Sequence, residues 1–287
     1  MSAIYKKELR AYFNSIIGWL FIAFFLVFVG IYFFLYNLYS GYPDFGYTLS
    51  AITSFFILLI PMVTMRLMAE ENKQKTDQLL LTSPVSVEKI TLGKYLATVT
   101  VFSIGILICC TYPLIMTRFG EINMAMTYSS ILAFFLLGCT YLAIGMFISA
   151  LTESQAFAAI LTFIVVLLTC LMDGIASLFS SSAKTAWFVF AFLLFLVAIV
   201  TWIIMKSKVV TGGFLIISQV AIAGIYFLKP TLLEGTIKEV FHWFSVISRY
   251  EDFVNGIFNI SSIVYYVSMV VLFNFLTVQV IKKRRWN

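Results

Sequence analysis

At 287 residues, 62% of them hydrophobic and only 11% charged, the chain is far more apolar than soluble domains, which carry about 25% charged residues. A mean hydropathy of +1.01 and 30 phenylalanines point to an all-α polytopic membrane protein surrounded mainly by lipid. The formal charge of +6 does not imply nucleic acid, because the basic residues sit at the ends of apolar runs, where membrane orientation is set.

The chain starts MSAIYKKELRAYFNS, too polar for the apolar region of a cleavable signal peptide and without a small-residue cleavage site. Residues 3–15 place Tyr5, Leu9, Tyr12, Phe13 and the adjoining Ile16 on one helical face, with Lys6, Lys7, Arg10 and Asn14 elsewhere. That pattern predicts an interfacial amphipathic helix along the inner leaflet.

Runs of about 20 apolar residues then predict eight spans, at 16–36, 48–69, 95–116, 129–150, 156–179, 186–205, 209–228 and 261–281. The sixth and seventh are separated only by Lys206, Ser207 and Lys208, so 186–228 is either a full hairpin or a shallower re-entrant pair. The even count puts both termini on one side. With that side cytoplasmic, fourteen of the 19 basic residues lie inside, and only Arg118, Lys184, Lys229, Lys238 and Arg249 lie outside. The acids divide almost evenly, as the positive-inside rule requires.

Between the second and third spans runs RLMAEENKQKTDQLLLTSPVSVEKITLGK, residues 66–94. It is too charged to be buried and too long for a simple connection. Arg66 ends the second span, and Glu70, Glu71, Lys73, Lys75 and Asp77 are expected to project from a continuing helix. Leu79, Leu80 and Leu81 form an apolar knuckle, closed by Thr82, Ser83 and Pro84. Pro84 stops that segment, and Ser83 or Ser86 starts the next helix, which runs through Lys94 into the third span. An exposed leucine knuckle flanked by charge calls for a groove on a cytoplasmic partner.

Further along, Cys109, Cys110, Cys139 and Cys170 all lie inside apolar runs and read as free buried thiols. Gly138, Ala143, Gly145 and Ser149 make a small-residue face for helix packing. Glu153 and Asp173 read as hydrated residues near span ends. Residues 231–260 on the outer side carry apolar spacing at Val240, Phe241, Phe244 and Ile247, with Trp243 beside them. They predict one or two short helices at, or dipping into, the outer leaflet, with Glu234, Lys238, Glu239, Arg249, Glu251 and Asp252 facing water or a vestibule.

Enzyme signatures are missing from the sequence. His242 is the sole histidine, which argues against a metal site and reads as an interfacial side chain. There is no G-x-S-x-G elbow. Gly93-Lys94 imitates the end of a phosphate-binding loop, but Glu88 stands at the first glycine position and Tyr95 follows the lysine, so the backbone cannot cradle phosphates. Any nucleotide hydrolysis belongs to another polypeptide.

The pattern Arg66, Ala69, Glu70, Glu71, Thr76, Leu79-Leu80-Leu81-Thr82, Pro84-Val85-Ser86, Ile90 and Leu92-Gly93-Lys94-Tyr95-Leu96-Ala97 resembles the membrane subunit of type-2 ABC exporters. Its nearest flavour is the gliding-motility-type and nitrous-oxide-accessory-type permeases of bacteria. KKELRAYFNSIIGW, LTESQ, SVISRYEDFVNGIFN and the terminal RRW extend the resemblance to both ends of the chain.

The resemblance implies a single transmembrane domain over 1–287. It would have an elbow helix at 1–15, a coupling helix in 66–94 and re-entrant outer helices in 231–260. It also implies an ATPase-coupling set of Arg66, Glu70, Glu71, Thr76, Asp77, Leu79, Leu80, Leu81, Thr82, Pro84 and Lys94. Its partners would be ABC ATPase subunits carrying the ATP and magnesium, and a second permease copy or paralogue, in a bacterial cell membrane with no nucleic acid. This chain departs from the pattern in three places: the inserted 186–228 hairpin on a six-span core, Lys75 where glycine is common, and Gln78 where glutamate is common.

The expected function is therefore the permease subunit of an ABC exporter. A non-transporting scaffold that transmits force to an envelope machine is the alternative. Aromatic-rich spans without an intramembrane basic cluster favour lipid-like or peptide cargo over a small anion.

Overall fold

The computed structural model describes residues 1–75, 85–179, 182–191, 194, 218–219, 223–224, 226 and 234–286. The chain divides into two compact units, Met1–Leu168 with Ile247–Asn287, and Thr169–Val246. Every regular element among the described residues is helical.

Helix α1 (Ser2–Asn14) ends at Ser15, whose backbone is extended and whose hydroxyl donates to the Tyr12 carbonyl at 3.2 Å. A Cβ at Gly18 would collide with that same carbonyl, so glycine lets the chain fold back tightly into α2 (Ile16–Tyr32). α2 continues as a π-helical segment, Phe33–Tyr39. There the buried Asn37 donates to the carbonyls of Tyr42 (2.8 Å) and Asp44 (3.2 Å) and accepts from Thr48 Oγ1 at 2.6 Å. One amide thus closes the connection to α3 (Phe45–Thr53), whose first turn is capped by Asp44 accepting from Gly46 N at 2.8 Å.

The second predicted span, 48–69, is a broken one. The chain bends by 62° between Phe45–Thr53 and the helical run that begins at Phe56. α4 (Phe56–Thr64) contains Pro61, which has no N–H for the Ile57 carbonyl and crowds that turn with its ring. Short bonds from Phe55 N to Ile52 O (2.9 Å) and Leu58 N to Phe55 O (3.0 Å) tighten the corner.

The predicted helix continuing from Arg66 is also interrupted. α4 stops at Thr64, a turn covers 65–68, and α5 is only Ala69–Gln74. Lys75 then adopts a left-handed conformation at φ 55°, the terminating geometry that glycine normally supplies.

α6 (Val87–Cys109) runs almost directly into α7 (Tyr112–Met116), and together they form one apolar span. α8 (Met124–Leu151), α9 (Gln155–Leu178) and α12 (Ile260–Trp286) are long apolar helices. α10 (Thr236–Phe244) and α11 (Ser248–Val254) are short. Five helices are long and apolar enough to cross a membrane, or six with the bent pair. They correspond to six predicted spans; the other two, 186–205 and 209–228, lie largely outside the described residues.

In the larger unit α8 is the central helix, packed by α3, α4, α6, α11 and α12. Phe21 and Phe25 of α2, Phe56 of α4, Phe102 of α6, Phe134 and Tyr141 of α8 and Tyr250 of α11 form a continuous aromatic core, each at most 1% exposed. Phe56 meets Phe134 at 4.9 Å between centroids, and Phe25 meets Phe102 at 5.8 Å. Lipid supplies no hydrophobic drive between helices, so close van der Waals fit holds such a bundle together. The predicted small-residue face provides that fit: Gly138 lies under the Phe102 ring and Gly145 under Thr64, with no room for a Cβ at either.

The smaller unit has its own cluster, in which Ala183, Ala186 and Ile237 are buried with Phe179, Trp187 and Phe241 around them.

Candidate functional site

The charged residues at the start of α1, in the 65–74 stretch and in α6 converge on one joint. Lys94 lies two turns into α6 and is 1% exposed. Its Nζ is 2.9 Å from Glu71 Oε2 of α5 and 3.3 Å from Glu8 Oε1 of α1, and it donates to the Leu67 carbonyl at 2.7 Å. The ammonium thus donates one hydrogen bond and makes two ion pairs. Lys7 closes the network at 3.3 Å from Glu71 Oε1 and 3.8 Å from Glu8 Oε1. Two cations thus alternate with two carboxylates, which is the condition for holding charge away from water.

Arg66 lies over the Tyr12 ring, 4.6 Å from its centroid, and donates to the Ala11 carbonyl at 3.2 Å. Tyr12 in turn donates to the Val63 carbonyl at 2.9 Å. Burial pushes its phenol well above the usual range, only partly offset by Arg66, so it stays a donor at physiological pH. A cavity of about 340 Å³ opens among Tyr12, Arg66, Glu70, Glu71, Gln74 and Lys94.

The joint is tied to neighbouring elements on two further sides. Ser149, near the end of α8, accepts from the backbone N–H groups of Met68 and Ala69 at 3.1 Å each and donates to the Met65 carbonyl at 3.2 Å. Asn72 donates to the Thr152 carbonyl at 3.0 Å. At the other flank, Lys282 of α12 pairs with Glu88 in the first turn of α6 at 2.5 Å.

Of the predicted coupling set, the structure brings Arg66, Glu70, Glu71 and Lys94 together around one cavity. Thr76, Asp77, Leu79, Leu80, Leu81, Thr82 and Pro84 lie outside the described residues. Lys94 is buried and contacts Glu8, Glu71 and Leu67. Glu8, Tyr12 and Ser149 were missed. The one available signal was a Lys7-Glu8 pair on the helix whose apolar face carries Tyr12.

Two outer residues make contacts at the start of α12. Asp252 accepts from Asn259 (3.0 Å) and Ser262 (3.3 Å), and Arg249 lies 5.2 Å from the Tyr265 ring centroid. Both remain partly exposed beside the turn into α12. Asp173 and His242, read as a hydrated end residue and an interfacial ring, lie 3.1 Å apart. Among the described residues no group of three or more His, Cys, Asp or Glu is placed to hold a metal ion.

Apolar helices long enough to span a bilayer, around a central helix and braced by a charged joint, define a multi-pass all-helical membrane protein. The family described as "ABC-2 family transporter protein" matches residues 35–195, more than half of the chain, and the chain belongs to that family. It is a permease component of an ABC transporter, a membrane domain and not a nucleotide-binding one. No curated sequence matches it significantly.

Proposed function

We propose that the chain is the membrane-spanning permease subunit of an exporter driven by a separate ABC ATPase, and that residues 66–94 are its ATPase-docking element. The observation that carries this reading is the Lys94 joint. One flank of the element bears Arg66, Glu70 and Glu71, the other bears Lys94, and both meet α1 and α6 through buried charge pairs. A push on the intervening leucines would reach two long elements as rigid-body displacement.

Leu79, Leu80 and Leu81 fill the partner's groove in this proposal, with Thr76, Asp77, Thr82 and Pro84 shaping the turn around them. ATP and magnesium stay on the ATPase. A second copy or a paralogue completes the path, and α1 lies as an elbow along the inner leaflet with both termini cytoplasmic. The whole chain acts as one transmembrane domain, with 186–228 an insertion into a six-span core.

The test is co-purification from native membranes with ATPase activity assayed on what comes down. A stoichiometric ATPase that is lost with Leu79→Asp supports the proposal. A chain recovered alone, or with an ATPase indifferent to that change, overturns it.

A further inference from the structure

We propose that Asp173, His242 and Ser245 form a proton-binding latch that clasps the end of α9 to α10. Asp173 lies five residues before the end of α9. Its Oδ2 accepts from the Ser245 hydroxyl at 2.5 Å. Its Oδ1 is buried without a hydrogen-bond partner, and His242 Nδ1 lies 3.1 Å from it. Carboxylate oxygens buried without a donor are uncommon in folded proteins. Here the nearby donor is a group that gains or loses its proton with pH.

The His242 side chain is 56% exposed, so it can take that proton from water. Neutral imidazole carries its hydrogen on either ring nitrogen, whereas imidazolium donates from both. Protonation therefore puts a hydrogen on Nδ1 and a positive charge 3.1 Å from Oδ1.

The order differs from a Ser-His-Asp triad, because the carboxylate and not the imidazole accepts from the Ser245 hydroxyl. Other charges do not substitute for the histidine. The remaining charged groups described in this unit are Lys184 in the first turn of the helical stretch 183–191, Glu234 before α10, and Lys238 and Glu239 on it; none pairs with Asp173 or His242 among the described residues. The titratable Tyr226 packs on Trp187. Phe179 stacks on Phe241 with centroids 5.5 Å apart, so an apolar contact holds the two segments together whatever the protonation state. The latch tightens that contact without creating it.

The sign follows from the two groups. The pair needs an ionised Asp173 and a protonated His242. It is lost when the imidazole gives up its proton, and lost again when the carboxylate takes one.

The test is amide hydrogen exchange on the full chain in lipid nanodiscs, with times scaled for intrinsic rate, at about pH 5.5 and about pH 7.5, a span over which histidine side chains commonly change charge. The 236–244 peptide should be about two- to fivefold more protected at the lower pH, the range expected of a partly exposed pair. His242→Gln and Asp173→Asn should each abolish the difference, while Ser245→Ala keeps it and lowers protection at both values. Equal wild-type protection at the two pH values, or a difference that survives His242→Gln, overturns the proposal.

Discussion

Lys94 donates to the Leu67 carbonyl and pairs with carboxylates from two different helices. Truncating it to methionine would leave Glu8 and Glu71 facing each other in a tight space. Removal of one partner from a buried pair typically costs about 3–5 kcal/mol. The carboxylates here keep some water, with side chains 12% and 16% exposed, so Lys94→Met should cost about 3 kcal/mol, measured by denaturant titration in detergent. Adding Glu71→Gln should recover part of that loss. Full additivity of the two changes would mean that the residues do not interact.

Lys75 makes the opposite case. It is the one non-glycine residue with positive φ among those described, and glycine commonly stands at this position in the permeases that the chain resembles. Only glycine enters that region without strain, at a saving of roughly 1 kcal/mol. Lys75→Gly should therefore raise stability by up to about 1 kcal/mol and slow amide exchange across 69–75. A decrease would indicate that the lysine side chain makes a contact worth more than the strain.

Among the elements, α8 decides where its neighbours go. Gly145 lets Thr64 of α4 sit against the α8 backbone, and any Cβ there would overlap that side chain. Gly145→Ala should destabilise by about 1–3 kcal/mol through overpacking. Gly174→Ala, in the same residue class but with open space around it in α9, should be neutral or stabilising, because alanine only restricts the unfolded chain there. Matching signs for the two would show that α4 does not press on α8.

Ser149 anchors the turn 65–68 from the same helix. Ser149→Ala orphans the Met68 and Ala69 N–H groups, at about 1–3 kcal/mol for buried groups left without a partner. Exchange across 65–74 should rise more than elsewhere in the chain. Because α5 has only six residues, its helical order depends on these tertiary bonds more than on intrinsic propensity.

At the scale of the whole molecule, the Lys94 joint and the 117–123 connection lie at opposite ends of the spans that α6 and α8 begin and end. The proposed orientation puts the joint in the cytoplasm. In a background without native cysteines, Lys73→Cys should react with an impermeant maleimide only after the membrane is opened. Glu121→Cys should react from outside in sealed cells. The reverse pattern would invert the orientation and remove the ATPase from reach of 66–94.

Hydropathy alone located Ile16–Tyr39, Val87–Met116, Met124–Leu151, Gln155–Leu178 and Ile260–Lys283 to within several residues, because lipid demands a long apolar helix wherever the chain crosses. The alternation of charge in 66–94 marked the candidate site for a similar reason, since such a segment has no place in the bilayer. The second span reads as one unbroken run in the sequence; Pro61 permits a break, but the bend depends on how α3 and α4 pack on α8.

Only the tertiary structure could decide that Lys94 turns inward to Glu8, that Ser149 bonds the 65–69 backbone, and that His242 meets Asp173. Hydropathy and periodicity specify which face of a helix is buried. They do not specify which distant helix covers it, and a polar group in the interior is explained only by the partner it finds there.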